Sequence, residues 1–397
     1  MICVLSPGID LVPVLIMFSG IPQSNLVSVA TPASSGFGDT VVSPVIPAHV
    51  PHSVKAVVFD QRLTFLKKYG SSFLAYSSLQ EGLDYYMQPD CGYIPYSLIG
   101  KDNTVPVCLG DPICPADRSQ EIIKNFLERY DYPVFFHITN DMAHILSEMG
   151  FSVNEIGTEI VVDLQRFTLT GNKMRFLRKQ IHKGRRDGLV VKEQLCSEVG
   201  EDVLKAISEQ WLHKKVVHNQ ELSFVVRPVV YGDEMDVRIF IAYKDDCAVG
   251  FNIFDPIYRG GQIIGYVPNH LRATNEGNYS IQDWISFEAM RVFKQEGKEI
   301  LSLGFCPLYK INDSGEFRYS RLLKTMFQFA YEHANYVYKF KALAFHKSRY
   351  RPGLDGCQET KVYCAYKNPA RFSLLPEIVS LMGINVVEQI VGRLTGR

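Results

Sequence analysis

The chain has 397 residues, with 42 lysines and arginines against 42 aspartates and glutamates, and a hydrophobic share of 46%. That length exceeds one ordinary core and predicts two domains. The composition excludes a disordered or fibrous chain, and zero formal charge makes any strongly charged stretch a local feature. Nine cysteines without a CxxC pair or zinc spacing argue against a disulfide scaffold and point to reduced thiols in a reducing compartment.

Residues 2–21 are apolar but interrupted by Pro7, Gly8, Asp10, Pro13 and Ser19, and they lack a basic start. This argues against a secretory signal and a membrane-spanning helix, and Met17 is a second candidate start. Residues 1–53 as a whole read as an extended or disordered leader, rich in Ser, Pro, Val and Gly beyond position 21. From Val54 the pattern becomes globular. A helix is expected over 60–69, a short strand over 71–78 and a second helix over 79–87. Two strands over 91–100 and 104–113 meet at a turn around 101–103. Residues 117–130 form an amphipathic helix with Ile122, Ile123, Phe126 and Leu127 inward. A strand over 132–139, a helix over 140–150 and a strand over 159–164 follow.

Residues 172–188, NKMRFLRKQIHKGRRDG, carry Lys173, Arg175, Arg178, Lys179, Lys183, Arg185 and Arg186 against Asp187 alone. As a helix, Met174, Leu177 and Ile181 share a core-facing side. Arg175, Lys179, His182 and Arg186 make a cationic stripe. Asn172 is placed to cap the start, and Gly184 and Gly188 to end it. A polyanion is the obvious partner, and a solvated face is the plain alternative.

The order then partly repeats. Strand 188–195, helix 201–218, a hairpin of 237–245 with 248–258, and strand 262–268 come first. Helix 279–295, strand 299–305, helix 321–333 and strand 360–366 complete it. Alternating strands and helices predict an α/β (α+β) fold. Its two halves, 54–164 and 190–366, are joined by a 165–189 segment holding the basic helix, with one large mixed sheet as the alternative. In the tail, 367–397, Leu374, Ile378, Leu381, Met382, Val386, Ile390 and Leu394 lie among few charges, flanked by Arg371, Arg393 and Arg397. Such a segment suits a membrane surface, the chain's own core or a second subunit.

Five blocks over residues 54–366 resemble the C-terminal aminoacyl-transfer domain of phosphatidylglycerol lysyltransferases and their stand-alone relatives. They are LKKYGSSFLAYSSL; GYIPY with VCLGDPI; GTEIVVDLQRFTLTGNKMRFLRKQIHKGRRDG; LSLGFCPL, similar to a LNLG strand ending in APL; and YKFKALAFHKSRYRP, similar to YNFxGLxxFKxKFxP. The resemblance implies two tandem GNAT-like acyltransferase folds joined by a basic helix. It further implies transfer of an aminoacyl group from aminoacyl-tRNA to phosphatidylglycerol or a related lipid or small acceptor, without a cofactor or metal. Lys173, Arg175, Arg178, Lys179, Lys183 and Arg186 are the expected tRNA contacts. The lysyltransferases add a multi-helix flippase domain; none is read here, so lipid export by this chain is not expected. The expected location is cytoplasmic, with the tail offering peripheral contact on the inner face of the membrane.

Acyl transfer from an ester needs an acceptor that loses a proton and a carbonyl oxygen stabilised as it gains charge. In the resembled pattern an acidic residue precedes an arginine by three positions. Arg272 keeps the arginine, suited to a phosphate, while Asn269 replaces the acid and His270 beside it is a substitute base. Asp283 opens the helix after a turn containing Gly277 and matches a family aspartate. Lys347 and Arg349 match the FKxKF positions; with Lys341 and Tyr338 they are expected to surround an anionic substrate. Glu159 and Asp163 share a strand face and are expected to pair with the basic helix. The final DGCQETKVY departs from the family's WxPR block, which bears on acceptor recognition. No glycine-rich pyrophosphate loop precedes a helix, since RGGQIIG runs into a strand, and Walker, Rossmann, GxSxG and HExxH patterns are absent. A CoA-dependent or carrier-dependent N-acyltransferase and a non-catalytic nucleic-acid or membrane module remain the alternatives. Arg272, Asp283 and Lys347 are expected to converge on one cleft.

Overall fold

A computed structural model describes residues 52–100, 102–213, 223–274, 281–313, 315–367 and 375–384. The leader, except its last residues, the Gly277 turn, residues 214–218 of the 201–218 helix, and most of the tail lie outside the described residues.

The first half runs α1 (His52–Tyr69), β1 (Asp84–Gln88), β2 (Gly92–Ile99), β3 (Val105–Leu109), α2 (Ser119–Arg129), β4 (Val134–Ile138), α3 (Asn140–Glu148) and β5 (Ser152–Asp163). The basic helix α4 (Arg175–Arg186) follows, then β6 (Val190–Gln194) and α5 (Glu201–His213). The second half continues with β7 (Arg238–Lys244), β8 (Cys247–Arg259), β9 (Gln262–Ala273), α6 (Ile281–Gln295), β10 (Ile300–Pro307), α7 (Arg321–His333), α8 (Phe340–Ser348), β11 (Cys357–Tyr366) and α9 (Leu375–Leu381).

The eleven strands of the described residues form one mixed sheet, in the order β1-β2-β3-β4-β11-β5-β10-β9-β8-β7-β6. Each half contributes an antiparallel three-stranded meander, a crossover helix and a parallel fourth strand: β3 beside β4 through α2, β9 beside β10 through α6. The last strand of each half then changes sides. β5 pairs with β10 of the second half, β11 pairs with β4 of the first, and the two pair with each other antiparallel at the centre. The strand order therefore reads nearly as a palindrome, with β6 added at one edge. The sequence division at 164 and 190 cuts across this exchange.

Local sequence explains most elements. On α2, Ile122, Ile123 and Phe126 are fully buried, as their spacing requires. Met174, just ahead of α4, and Leu177 and Ile181 on it face the core, and Gly184 lets the helix close on Trp284, whose ring lies 3.0 Å from where a Cβ would sit. That glycine is inside the helix, not at its end. Asn172 opens a 3-10 turn ahead of the helix without a side-chain cap bond. The 79–87 segment is not a helix. A 3-10 turn (Ala75–Leu79) leads to β1, whose DYYMQ pairs with β2 from Asp84↔Tyr96 to Gln88↔Gly92, because tyrosines fit a half-buried pleat better than a helix. The expected strand over 71–78 is accordingly absent too.

The described part of the tail packs on the protein's own core. Ile378 is buried with Leu323 and Phe327, Ser223 donates to the carbonyls of Leu381 and Met382, and Glu377 accepts the amide of Gly100 at 2.7 Å. Among the described residues no helix is long and apolar enough to cross a membrane.

Candidate active site

A cavity of about 650 Å³ opens above the middle of the sheet. The ends of β9 and β10, helices α7, α8 and α9, and the tip of β4 form its walls. Met326, Phe327, Ile378 and Val379 give it apolar wall, and charged and polar side chains share the lining. Its origin is local. β9 and β10 pair only at Gly265↔Ile300 and Tyr266↔Leu301, and β10 then bulges between Ser302 and Phe305. The strands part, and the side chains beyond the split line the opening.

Arg272, 5% exposed, is held with its guanidinium carbon 3.8 Å over the Trp211 ring, and its Nη2 lies 3.3 Å from Nδ1 of His270. Burial, aided by Arg272 and Arg227, pushes the His270 imidazole down to about 3 and keeps it neutral. Asn269 donates to Asp255 at 2.8 Å, and Asp255 is bound by Arg227 at 2.7 Å. The carboxylate missing at position 269 is thus present one strand away, already paired.

Lys347 enters from α8. Its ammonium donates to the Phe305 carbonyl at 2.8 Å, inside the bulge. Beside it, Gly304 has a φ of +76°, a left-handed conformation that favours glycine, and an added Cβ would make only an ordinary contact with the Lys347 nitrogen at 3.4 Å. Burial pushes this ammonium below the ordinary lysine value, opposed by Cys306 and Glu159. Glu159 accepts from Ser302 at 2.7 Å, and burial raises it to about 8, against the pull of that bond and of Lys347. Glu159 therefore faces Lys347, not the basic helix. Asp163 caps the turn that follows it, accepting from the amides of Gln165 and Arg166. Neither acid pairs as expected, because the strand carries that face toward β10 and the 165–167 turn.

Tyr338 also lines the cavity, with its hydroxyl pushed by burial up to about 12. Arg272, His270, Asn269, Lys347 and Tyr338 are thus brought together. Asp283, Lys341 and Arg349 are not on the cavity wall. Lys341 is exposed and paired with Glu332 at 2.5 Å. Asp283, 5% exposed in the first turn of α6, accepts from His346 Nε2 at 2.6 Å and from Arg349 at 3.0 Å. The aspartate sits behind His346, and it is His346 that lines the cavity. Three wall residues escaped sequence reasoning. His346 adjoins Lys347, but its partner Asp283 is 63 positions away. Trp211 belongs to a separate helix. His137 ends β4 with φ +69° and packs edge-on against Phe73 and Phe305, its imidazole pushed down to about 4 by burial. A left-handed histidine is the only one of these signals local enough to suspect, and it needs coordinates to be seen.

The basic helix adjoins this site. Phe176 on α4 lies under the Arg349 guanidinium at 4.9 Å, and Arg351 donates to the Lys173 carbonyl at 3.0 Å. Lys173, Arg175, Lys179, His182 and Arg186 are exposed, while Lys183 is half-buried. Arg178 is committed inward, donating to the carbonyls of Leu169 and Gly171, which removes it from the cationic face.

Residues 63–366 match the model of the family described as phosphatidylglycerol lysyltransferase, C-terminal. The chain belongs to this family. The phosphatidylglycerol lysyltransferase of Staphylococcus epidermidis is 23% identical over 315 residues, covering 77% of this chain and 35% of the relative. That of Bacillus subtilis is 23% identical over 333 residues, covering 81% and 36%. The chain thus spans about a third of the length of these curated relatives. Two solved structures share the fold. One is a domain assigned as the C-terminal part of a lysylphosphatidylglycerol synthetase from Agrobacterium fabrum, with a TM-score of 0.66, 19% identity, and coverage of 83% of this chain and 98% of that one. The other, L-PGS from Bacillus licheniformis, has a TM-score of 0.67, 20% identity, and coverage of 82% and 96%.

Proposed function

We propose that the chain is an acyltransferase that moves an aminoacyl group from aminoacyl-tRNA to phosphatidylglycerol or a related lipid or small acceptor. The observation that carries this reading is the joint placement of Arg272 and Lys347 on one cavity whose lining is largely apolar. Trp211 fixes the Arg272 guanidinium ahead of binding, so little ordering remains when it takes up the acceptor's phosphate. The Lys347 ammonium, fixed on the bulge, supplies positive charge where the ester carbonyl oxygen turns negative. The apolar lining offers room to acyl chains, and the exposed cations of α4 offer a polyanion surface next to the site. Family membership agrees with this class of reaction.

The test is direct. Purified protein is incubated with a pool of tRNAs charged with labelled amino acids and with phosphatidylglycerol vesicles, and label is followed into the organic phase. Transfer is expected, and Arg272→Ala is expected to reduce it mainly through a higher KM for the lipid. Label that moves only from aminoacyl-CoA, or from no donor, sinks the reading.

A further inference from the structure

Arg272 and Lys347 account for binding and charge, but neither takes the proton that an acceptor hydroxyl must lose. We propose that His346 is the proton acceptor, with Asp283 as its positioning residue; this rests on the aminoacyl-transfer reading above. His346 stands on the cavity wall beside Lys347, with about a third of its side chain accessible. Its Nε2 lies 2.6 Å from Asp283 Oδ1. An ionised carboxylate only accepts, so Nε2 carries a proton, and in the neutral imidazole Nδ1 keeps the lone pair. Nδ1 has no hydrogen-bond partner among the described residues and is not sealed in the core. The second oxygen of Asp283 is taken by Arg349 at 3.0 Å, which stops the carboxylate from turning toward the cavity. Charged and titratable groups near the pair include Lys347 on α8, Arg349 and Tyr350 just beyond it, and, on the same cavity lining, Arg272, His270, Tyr338 and Lys339. An imidazole backed by a buried carboxylate and open on its other nitrogen is the arrangement a general base requires.

The step balances without another reactant. The acceptor oxygen forms a bond to the ester carbonyl carbon as its proton passes to Nδ1. The tetrahedral intermediate then breaks its bond to the tRNA ribose oxygen, which leaves with that proton. The block this chain resembles has Phe where His346 stands, so the fold is expected to accept His346→Phe.

The experiment compares the full chain with His346→Phe, His346→Gln and Asp283→Asn, using charged tRNA and two acceptors, phosphatidylglycerol vesicles and hydroxylamine. Hydroxylamine attacks through a nitrogen lone pair and needs no prior loss of a proton. For all three variants, kcat for the lipid hydroxyl is expected to fall about 10²–10⁴-fold. KM for the vesicles and the enzyme-dependent hydroxylamine rate should stay within severalfold, and Tm close to that of the unaltered chain. A variant of His346 that keeps hydroxyl transfer, a hydroxylamine rate that falls in parallel, or a raised KM with kcat unchanged overturns the proposal. A wild-type protein that labels neither acceptor overturns the aminoacyl-transfer reading and this proposal together.

Discussion

The two halves of the sheet share a plan and differ at one point. In the first, β3 and β4 stay paired from Val107↔Val134 to Leu109↔Phe136, and the Gly110 amide adds a further bond to the Phe136 carbonyl at 2.9 Å. In the second, β9 and β10 part after two pairs and β10 bulges. The closed half is a scaffold; the parted half exposes a backbone carbonyl, seats Lys347 on it and opens a cavity. One fold thus yields a frame and a site by keeping or losing a few ladder bonds. The price of the opening is unpaired backbone, offset here by Lys347 and by the Ser302 hydroxyl, which accepts from the Gly304 amide.

Three measurements break or sharpen this contrast. The largest effect is expected from Lys347→Ala. If the parted strands house the chemistry, kcat should fall about 10²–10³-fold, the size of losing one donor to a developing oxyanion, with binding of charged tRNA unchanged. Full activity would make the bulge a packing feature.

Next in size is the helix that joins the halves. Replacing Arg175, Lys179 and Arg186 together should weaken binding of charged tRNA by tens of fold near physiological salt. It should also lower the slope of log affinity against log salt by roughly 2–3, because fewer counterions are released. Lys173 and His182 would remain, so binding is not expected to vanish. An unchanged slope returns α4 to a solvated face.

The smallest effect concerns His137, the contribution of the closed half to the cavity wall. Its imidazole is pushed down to about 4 in the fold, against an ordinary value near 6.5 in the unfolded chain. The unfolded state therefore binds the proton first. The stabilisation is complete above about pH 6.5 and is lost as pH falls toward 4, amounting to about 2 kcal/mol between pH 6.5 and 5. His270, pushed to about 3, adds to the same slope. Urea unfolding at pH 7.5 and 5 should show a drop in stability that His137→Gln reduces. An equal drop in the variant would mean that His137 titrates freely.

The periodic parts of this architecture were legible in the sequence. The apolar positions of α2 and α4 follow from spacing alone, because a helix repeats every few residues and burial obeys that repeat. The 79–87 segment was misread because the strand preference of its tyrosines is realised only when β2 is there to pair with them. The exchange of β5 and β11 was invisible, since nothing in either strand says which edge it joins. The site divides along the same line. Arg272 and Lys347 sit in blocks recognisable by pattern, and both reached the cavity. Asp283 was expected on the cavity wall and lies behind it, because its contact with His346 exists only after α6 and α8 are packed together.

The central exchange also governs when the molecule can exist. β11 lies between β4 and β5, pairing with β5 from Cys357↔Val162 to Tyr366↔Ser152 and with β4 from Tyr363↔Ile138 to Tyr366↔Val134. A nascent chain leaving the ribosome has β4 and β5 in hand some 200 residues before the strand that fills the gap between them. Until then two hydrophobic strands present bare edges to the cell, the condition under which chains pair with the wrong neighbour. The sheet closes only once Tyr366 has emerged, which makes β11 the keystone of the architecture.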